Sequence, residues 1–385
     1  SARAETIVEF WHAQDGTQDL IQTFADEFNT SQSTYRVIPS YVGNYQEAAI
    51  KLIAAVNSGR APVLFDAELT IFPRLIEEST VIHFDALTKE LPKPFIDDIY
   101  PALWQYGLVG GQRFGLPWNM SMPVLYYNAT ALEQRSVSVP STWQEFEEAA
   151  ARLTTRNTRG YLDSAYSLTF EAMVTTRGGT IVTEENLPDF DSPEAIDALR
   201  MLQRLAEKRQ LIARSLSEFD QSLVDFARSK VMMAIASQAV FPQGERFAVA
   251  FEIGTAPLPV GSSRAVPLTG AQLVIVREAS EAEQRGAFAF WRFLMSVDNI
   301  ERWVQASLFL PVRRSAADRL LNWYQAAPNR LAAFSQLEHA VPRPKLSAYT
   351  LWQISLQEAI ERVTKGNLSP EEALAEAQAA ALESR

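Results

Sequence analysis

Cysteine is absent from the sequence. That removes thiol nucleophiles, disulfides, iron–sulfur clusters and cysteine-based zinc sites together. Histidine is almost as scarce. His12, His83 and His339 are the only three, too dispersed to suggest a transition-metal ligand set, so no metal and no cofactor are expected. No stretch reaches the roughly 18 uninterrupted apolar residues of a membrane-spanning helix. Positive charge is in deficit and scattered: 35 Lys and Arg face 46 Asp and Glu, for a net charge of −11. Nucleic acid and anionic membrane surfaces call for concentrated basic patches, so neither is expected as a partner. Phosphate-cradling glycine motifs are missing, as are H-E-x-x-H and the G-x-S-x-G nucleophile elbow. A Ser–His–acid triad could be assembled only from distant residues, and nothing marks a nucleophile; carboxylates are plentiful, so a glycosidase-like pair, and with it a carbohydrate-active enzyme, stays open as the catalytic alternative. The expectation is a protein that is not an enzyme.

What is present is core material. With 385 residues, 47% of them hydrophobic and 21% charged, the chain exceeds one ordinary core and favours two domains. The first hundred residues alternate strand and helix. "TIVEFW" (6–11) reads as a buried strand and residues 17–29 as a helix with Leu20, Ile21, Phe24 and Phe28 on one face. "YRVIPSYV" is a second strand. Asn44 caps the next helix, with Glu47 completing a capping box and Gly59 ending it, and "PVLFDAEL" is a third strand. This succession predicts a mainly parallel sheet covered by helices.

The pattern restarts after residue 120. Thr142 with Glu145 caps "WQEFEEAAARL", residues 192–208 form a long amphipathic helix, "KVMMAIAS" is a strand ending at a capping Ser237, and "VPLTGAQLVIV" (266–276) is another strand. Helices follow over 286–296, after Asp298 (capping with Glu301), over about 347–364, and after Ser369 with Pro370 at the first helical position. Breaks near 114–120, 257–266 and 309–313 suggest that the chain crosses three times between two α/β lobes, a geometry that permits hinge closure. Residues 1–115 and 266–311 are expected in the N-terminal lobe, and 116–265 and 312–385 in the C-terminal lobe. At the start of the chain, Ala2-x-Ala4 fits the small-residue site of a removed export signal.

Several segments, in this order and spacing, carry more than composition: "VEFWHAQDG", "YRVIPSYVGNYQEAAIKLIAAVNSGRAPVL", "FGLPWNMSMPVLYYNATAL", "VPSTWQEFEEAAARL", "LTGAQLVIV" and "LFLPVRRSA". They resemble the extracellular solute-binding proteins of bacterial ABC importers, the maltose-binding-protein-like family, and within it the branch that captures glycerol-3-phosphate and glycerophosphodiesters. The resemblance implies a two-lobed periplasmic-binding-protein fold of type II, with a small-molecule solute held between the lobes. It also implies a membrane permease as partner and a monomeric, exported protein in the periplasm or at the outer face of the cytoplasmic membrane. Position by position, it places ligand contacts at Tyr45, Glu68, Asn119, Ser121, Ser237 and Gly270, and a phosphate-holding cation at Arg343 or, alternatively, Lys345. The family's phosphodiester binders carry a tryptophan pair in the segment matching 161–173. This chain has only Tyr161, Tyr166 and Phe170 there, which keeps a sugar or polyol as the alternative solute.

Read for their chemistry alone, the same residues are suggestive. Tyr45 follows a helix cap after a strand, where ligands of α/β sheets collect. Glu68 ends an apolar strand and needs a partner. Ser237 stands where a helix terminus offers N–H groups to an anion, and capping alone would also explain it. Gly270 permits close approach of a ligand or of neighbouring backbone. The fork of Arg343 matches phosphate oxygens, and two flanking prolines restrain it. Trp11, Trp118, Tyr166 and Tyr349 are either platforms for the solute or core aromatics, and His12 either bonds backbone or rims the cleft.

Overall fold

A computed structural model describes residues 4–247 and 250–384. The expected Ala2-x-Ala4 site therefore begins outside the described residues. The chain divides into two units. One comprises the chain up to Met120 together with Gly270–Trp323, and the other comprises Ser121–Thr269 together with Tyr324 onward. The divisions follow Met120, Thr269 and Trp323, the first at the end of the break read at 114–120 and the other two beyond theirs. The last one moves furthest because the helix Arg314–Arg319 packs on the helix Val297–Ser307. Arg313 Nε and the Ser315 amide also both donate to Asp98 of the same unit, at 2.9 and 3.0 Å.

The first unit is built on a five-stranded sheet in the order Tyr35–Tyr41, Thr6–His12, Leu64–Glu68, Thr269–Ile275, Leu116–Ser121. The first three strands are parallel, joined through the helices Gln18–Ser31 and Tyr45–Asn57, as parallel neighbours require a crossover. Thr269–Ile275 runs antiparallel to Leu64–Glu68 and pairs Leu273 with Asp66 and Ala271 with Glu68. "TIVEFW" is half-buried rather than buried: Val8, Phe10 and His12 face the core while Glu9 is exposed, the alternation of a sheet covered mainly on one side. Asn44 does cap the second helix, its side chain accepting from the Glu47 amide at 2.9 Å. Two helix starts differ from expectation. The helix Glu281–Leu294 begins five residues before 286, behind a capping box of Ser280 and Glu283. The helix Val297–Ser307 is capped by Ser296, which accepts from the Asn299 amide at 3.2 Å. Asp298 is left inside the first turn, where a carboxylate favours the positive helix end.

The second unit holds a five-stranded sheet in the order Ile253–Ala256, Pro123–Asn128, Val231–Ser237, Arg159–Asp163, Leu211–Ala213. Pro123–Asn128 is antiparallel to both of its neighbours, whereas Arg159–Asp163 is parallel to both of its own. Both sheets are thus mixed rather than mainly parallel: the first takes in Thr269–Ile275 antiparallel to Leu64–Glu68, and the second takes in Pro123–Asn128 antiparallel to both neighbours. The apolar run 266–276 is likewise not one strand. Val266–Pro267 pairs with Ala340–Val341 and the Leu268 amide donates to Val341, while Thr269–Ile275 belongs to the other sheet. The helices Pro193–Glu207, Tyr349–Thr364 and Pro370–Glu383 pack together against this unit's core. No helix among the described residues is long and apolar enough to cross a membrane.

Candidate functional site

In the first unit, polar side chains converge on Asp66, in the middle of the strand Leu64–Glu68. Asp66 Oδ2 accepts from Gln14 Nε2 at 2.7 Å and from Asn119 Nδ2 at 3.1 Å. Gln14 Nε2 also donates to the Tyr45 hydroxyl at 2.9 Å, and Trp303 Nε1 donates to Asn119 Oδ1 at 2.9 Å. Five chain segments therefore meet through carboxylate, carboxamide, phenol and indole groups. Burial raises the Asp66 carboxyl to about 6, and the amide donors of Gln14 and Asn119 only partly oppose this. His12 accepts from the Gln14 amide through Nδ1 at 3.2 Å. Burial lowers its pKa to about 4, so it is neutral.

The raised Asp66 pKa has a definite sign. The folded chain holds a proton that the unfolded chain releases from about pH 4 upward, so the associated stability is present below that pH and lost as pH rises through about 6. Wild type minus Asp66→Asn, measured by urea denaturation, should therefore move against wild type by on the order of 3 kcal/mol between pH 4 and 7. A difference independent of pH would refute the shift.

Gly270 lies in the left-handed region, φ +107°, with Asn119 O only 2.1 Å from where a Cβ would stand. The neighbour that needs the glycine is backbone. Glu68 turns back on its own loop, accepting from the Thr70 amide at 2.8 Å and from the Thr70 hydroxyl. Trp118 is a core residue, stacked on Trp303 at 4.7 Å, while Trp11 and Tyr45 are half-buried.

The second unit gathers the other group of expected residues. Arg343 is fully buried and is no open fork. Its Nε donates to Glu171 Oε2 at 3.1 Å, and its Nη2 donates to Glu171 Oε1 at 2.8 Å and to Ser167 Oγ at 3.1 Å. The Tyr349 hydroxyl also donates to Glu171 Oε1, and the guanidinium lies 5.9 Å from the rings of both Tyr166 and Tyr349. Burial works against the arginine's charge, but the Glu171 carboxylate together with the Tyr166 and Tyr349 phenols outweighs it and holds the pKa well above the ordinary value. The Tyr349 phenol is pushed up by burial and by Glu171. Lys345 is half-buried two residues on. Ser121 is completely buried, and its Oγ has no hydrogen-bond partner among the described residues. Ser237 caps the turn Gln238–Val240, which runs on into the helix Phe241–Phe247, and its side chain accepts from the Ala239 amide at 3.2 Å.

In the segment 161–173, Tyr161 and Phe170 are core and Tyr166 is half-buried. Asp163 there accepts from the Tyr161 hydroxyl and from the Ala165 amide at 3.2 and 3.0 Å. It fixes Ala165 at φ +54°, one residue before Tyr166. Burial raises the Asp163 carboxyl to about 6.

The polar clusters also include residues that the sequence does not single out, Gln14, Asp66 and Trp303 in the first unit and Ser167 and Glu171 in the second. Asp66 carries the same signal as Glu68, a carboxylate within an apolar strand. Each unit also has a surface cavity, about 440 Å³ around Trp143, Arg177 and Arg204 and about 610 Å³ around Phe293, Arg302 and Arg319. None of the expected site residues lines either. Among the described residues, no group of three or more His, Cys, Asp or Glu is placed to hold a metal ion.

Comparison with known proteins fits this architecture. The sn-glycerol-3-phosphate-binding periplasmic protein UgpB of Escherichia coli (strain K12) is 24% identical over 402 residues, spanning 97% of this chain and 91% of that one. The crystal structure of UgpB from Mycobacterium tuberculosis in complex with glycerophosphocholine superposes with a TM-score of 0.87 at 21% identity, over 99% and 98% of the two chains. That of a cyclic alpha-maltosyl-1,6-maltose binding protein from Arthrobacter globiformis gives a TM-score of 0.84 at 24% identity over 99% of both. These relatives are binding proteins, not enzymes, and they share one α/β periplasmic-binding-protein fold. The model of the family "Bacterial extracellular solute-binding protein" matches residues 23–333. The chain belongs to the bacterial extracellular solute-binding proteins.

Proposed function

We propose that this protein is the extracytoplasmic receptor of an ABC importer, capturing glycerol-3-phosphate or a glycerophosphodiester by closure of its two units and delivering it to the membrane permease. It acts as a monomer, in the periplasm or at the outer face of the cytoplasmic membrane. The observation that carries this reading is the buried Arg343 with its tyrosines. It is a guanidinium kept charged inside the second unit of an acidic protein, at a position where the resemblance expects a phosphate-holding cation. In the first unit, the Asp66–Gln14–Asn119 cluster with Tyr45 supplies acceptors and donors suited to glycerol hydroxyls, and it takes the role first assigned to Glu68. A solute that contacts both units only when they are closed stabilises that state by its differential affinity.

A second reading, a neutral sugar or polyol, is favoured by one observation: the only aromatic side chain in 161–173 outside the core is Tyr166, with no tryptophan pair beside it. Calorimetry against glycerol-3-phosphate, glycerophosphocholine, maltose and trehalose separates the two. The expected result is binding of at least one phosphate ester and a thermal stabilisation of about 2.7 kcal/mol at a hundredfold excess over Kd. Binding of the neutral sugars alone would reject the phosphate reading.

A further inference from the structure

The fork of Arg343 is already engaged. Two of its nitrogens meet the two oxygens of Glu171 side-on, at 3.1 and 2.8 Å, and Tyr349 donates to the same carboxylate. Both partners are buried, their side chains 0% and 3% exposed. The bidentate edge that would match phosphate oxygens is thus occupied by a protein carboxylate, and arginine and glutamate together carry no net charge. Among the described contacts, the guanidinium also lies 5.9 Å from the rings of Tyr166 and Tyr349. A solute anion arriving beside Arg343 meets one fixed positive charge and, on its far side, one fixed negative charge. A singly charged group keeps a favourable contact with the nearer guanidinium. A second negative charge gains less from a cation already compensated and is repelled by the Glu171 carboxylate within a poorly screened interior.

We propose that Glu171 is a specificity-determining residue that tunes the Arg343 site to singly charged phosphodiesters and against the dianion of a phosphomonoester. The inference rests on the proposed capture of a glycerol phosphate derivative and narrows it to one charge class. Glu171 was not among the expected ligand residues. Its role is to set the charge that the solute meets, through Arg343.

The test compares two probes that differ by one methyl ester and the charge it removes, glycerol-3-phosphate and its methyl diester, with glycerophosphocholine and maltose as further arms. At pH 7.5, where the monoester is mostly dianionic, wild type should bind the methyl diester at least about tenfold more tightly. At pH 5.5 the monoester has taken up its second proton, whose pKa is about 6, and the preference should shrink to about threefold or less. Glu171→Gln keeps the side chain's shape and an acceptor for Tyr349, and should shift the pH 7.5 preference toward the monoester by about tenfold. Should that variant fail to fold, the wild-type pH comparison stands alone as the test. Equal affinity for the two probes at pH 7.5, or an unchanged ratio in a folded Glu171→Gln protein, overturns this inference while leaving the ester reading in place. Binding of maltose with neither ester bound overturns the ester reading itself, and this inference with it.

Discussion

Gly270→Ala should destabilise the protein by about 3–6 kcal/mol, the sum of a backbone conformation costly to any side chain and of an overpacked contact. At φ +107° the backbone is one that glycine adopts freely. The added Cβ would also lie 2.1 Å from Asn119 O and 3.0 Å from both Asn119 C and Met120 Cα. All three are main-chain atoms, so no rotamer change can relieve the clash, and moving them would disturb the strand that carries Asn119 toward Asp66. Gly59→Ala is the matching control. Gly59 also has a positive φ, +72°, but a Cβ there meets nothing within 4 Å, so its cost should stay near the 1–2 kcal/mol of left-handed backbone alone. Thermal denaturation of both variants checks the pair, and a Gly270→Ala protein melting with the Gly59→Ala protein would sink the argument.

The second large effect is expected at the Arg343–Glu171 pair. Arg343→Ala leaves the Glu171 carboxylate buried without its cation and should cost about 3–5 kcal/mol. Arg343→Lys restores charge without the side-on pair of hydrogen bonds, and should recover only part of the loss. The double change Arg343→Ala with Glu171→Ala removes both charges, and should therefore be less destabilising than the sum of the single alanine changes by about 2 kcal/mol. Urea denaturation of the wild type, the singles and the double provides the cycle. Strict additivity would mean that water, not Arg343, solvates Glu171.

The local grammar of the chain was readable residue by residue. Asn44, Thr142 and Ser369 cap the helices whose starts they announce, because a cap depends only on a short side chain and an amide three residues on. The polar clusters were not readable, because their members are distant in sequence. Gln14 and Asp66 are 52 residues apart, Asn119 and Trp303 are 184 apart, and Glu171 and Arg343 are 172 apart. Asp66 and Glu68 posed a separate difficulty. Two residues apart in one strand, they share a face, so alternation cannot rank them. Depth does: Asp66 pairs opposite Leu273 inside the sheet, while Glu68, opposite Ala271 at the strand's end, reaches the Thr70 loop. Glu171 was hidden differently. Its helix, Ser167–Thr175, is buried on nearly every residue through Val174, so no polar face marked it.

The order of strands in the first sheet bears on how the molecule is made. Thr269–Ile275 lies between Leu64–Glu68 and Leu116–Ser121, so an interior position of a sheet begun by residue 6 stays vacant until the ribosome has passed residue 275. Until then the nascent chain can pair its early strands but cannot close the sheet around the core, and the slow, long-range step of folding is deferred to late in synthesis. Export of the proposed receptor would make use of that delay: a chain still lacking its last interior strand has no closed sheet to undo before it is threaded across a membrane.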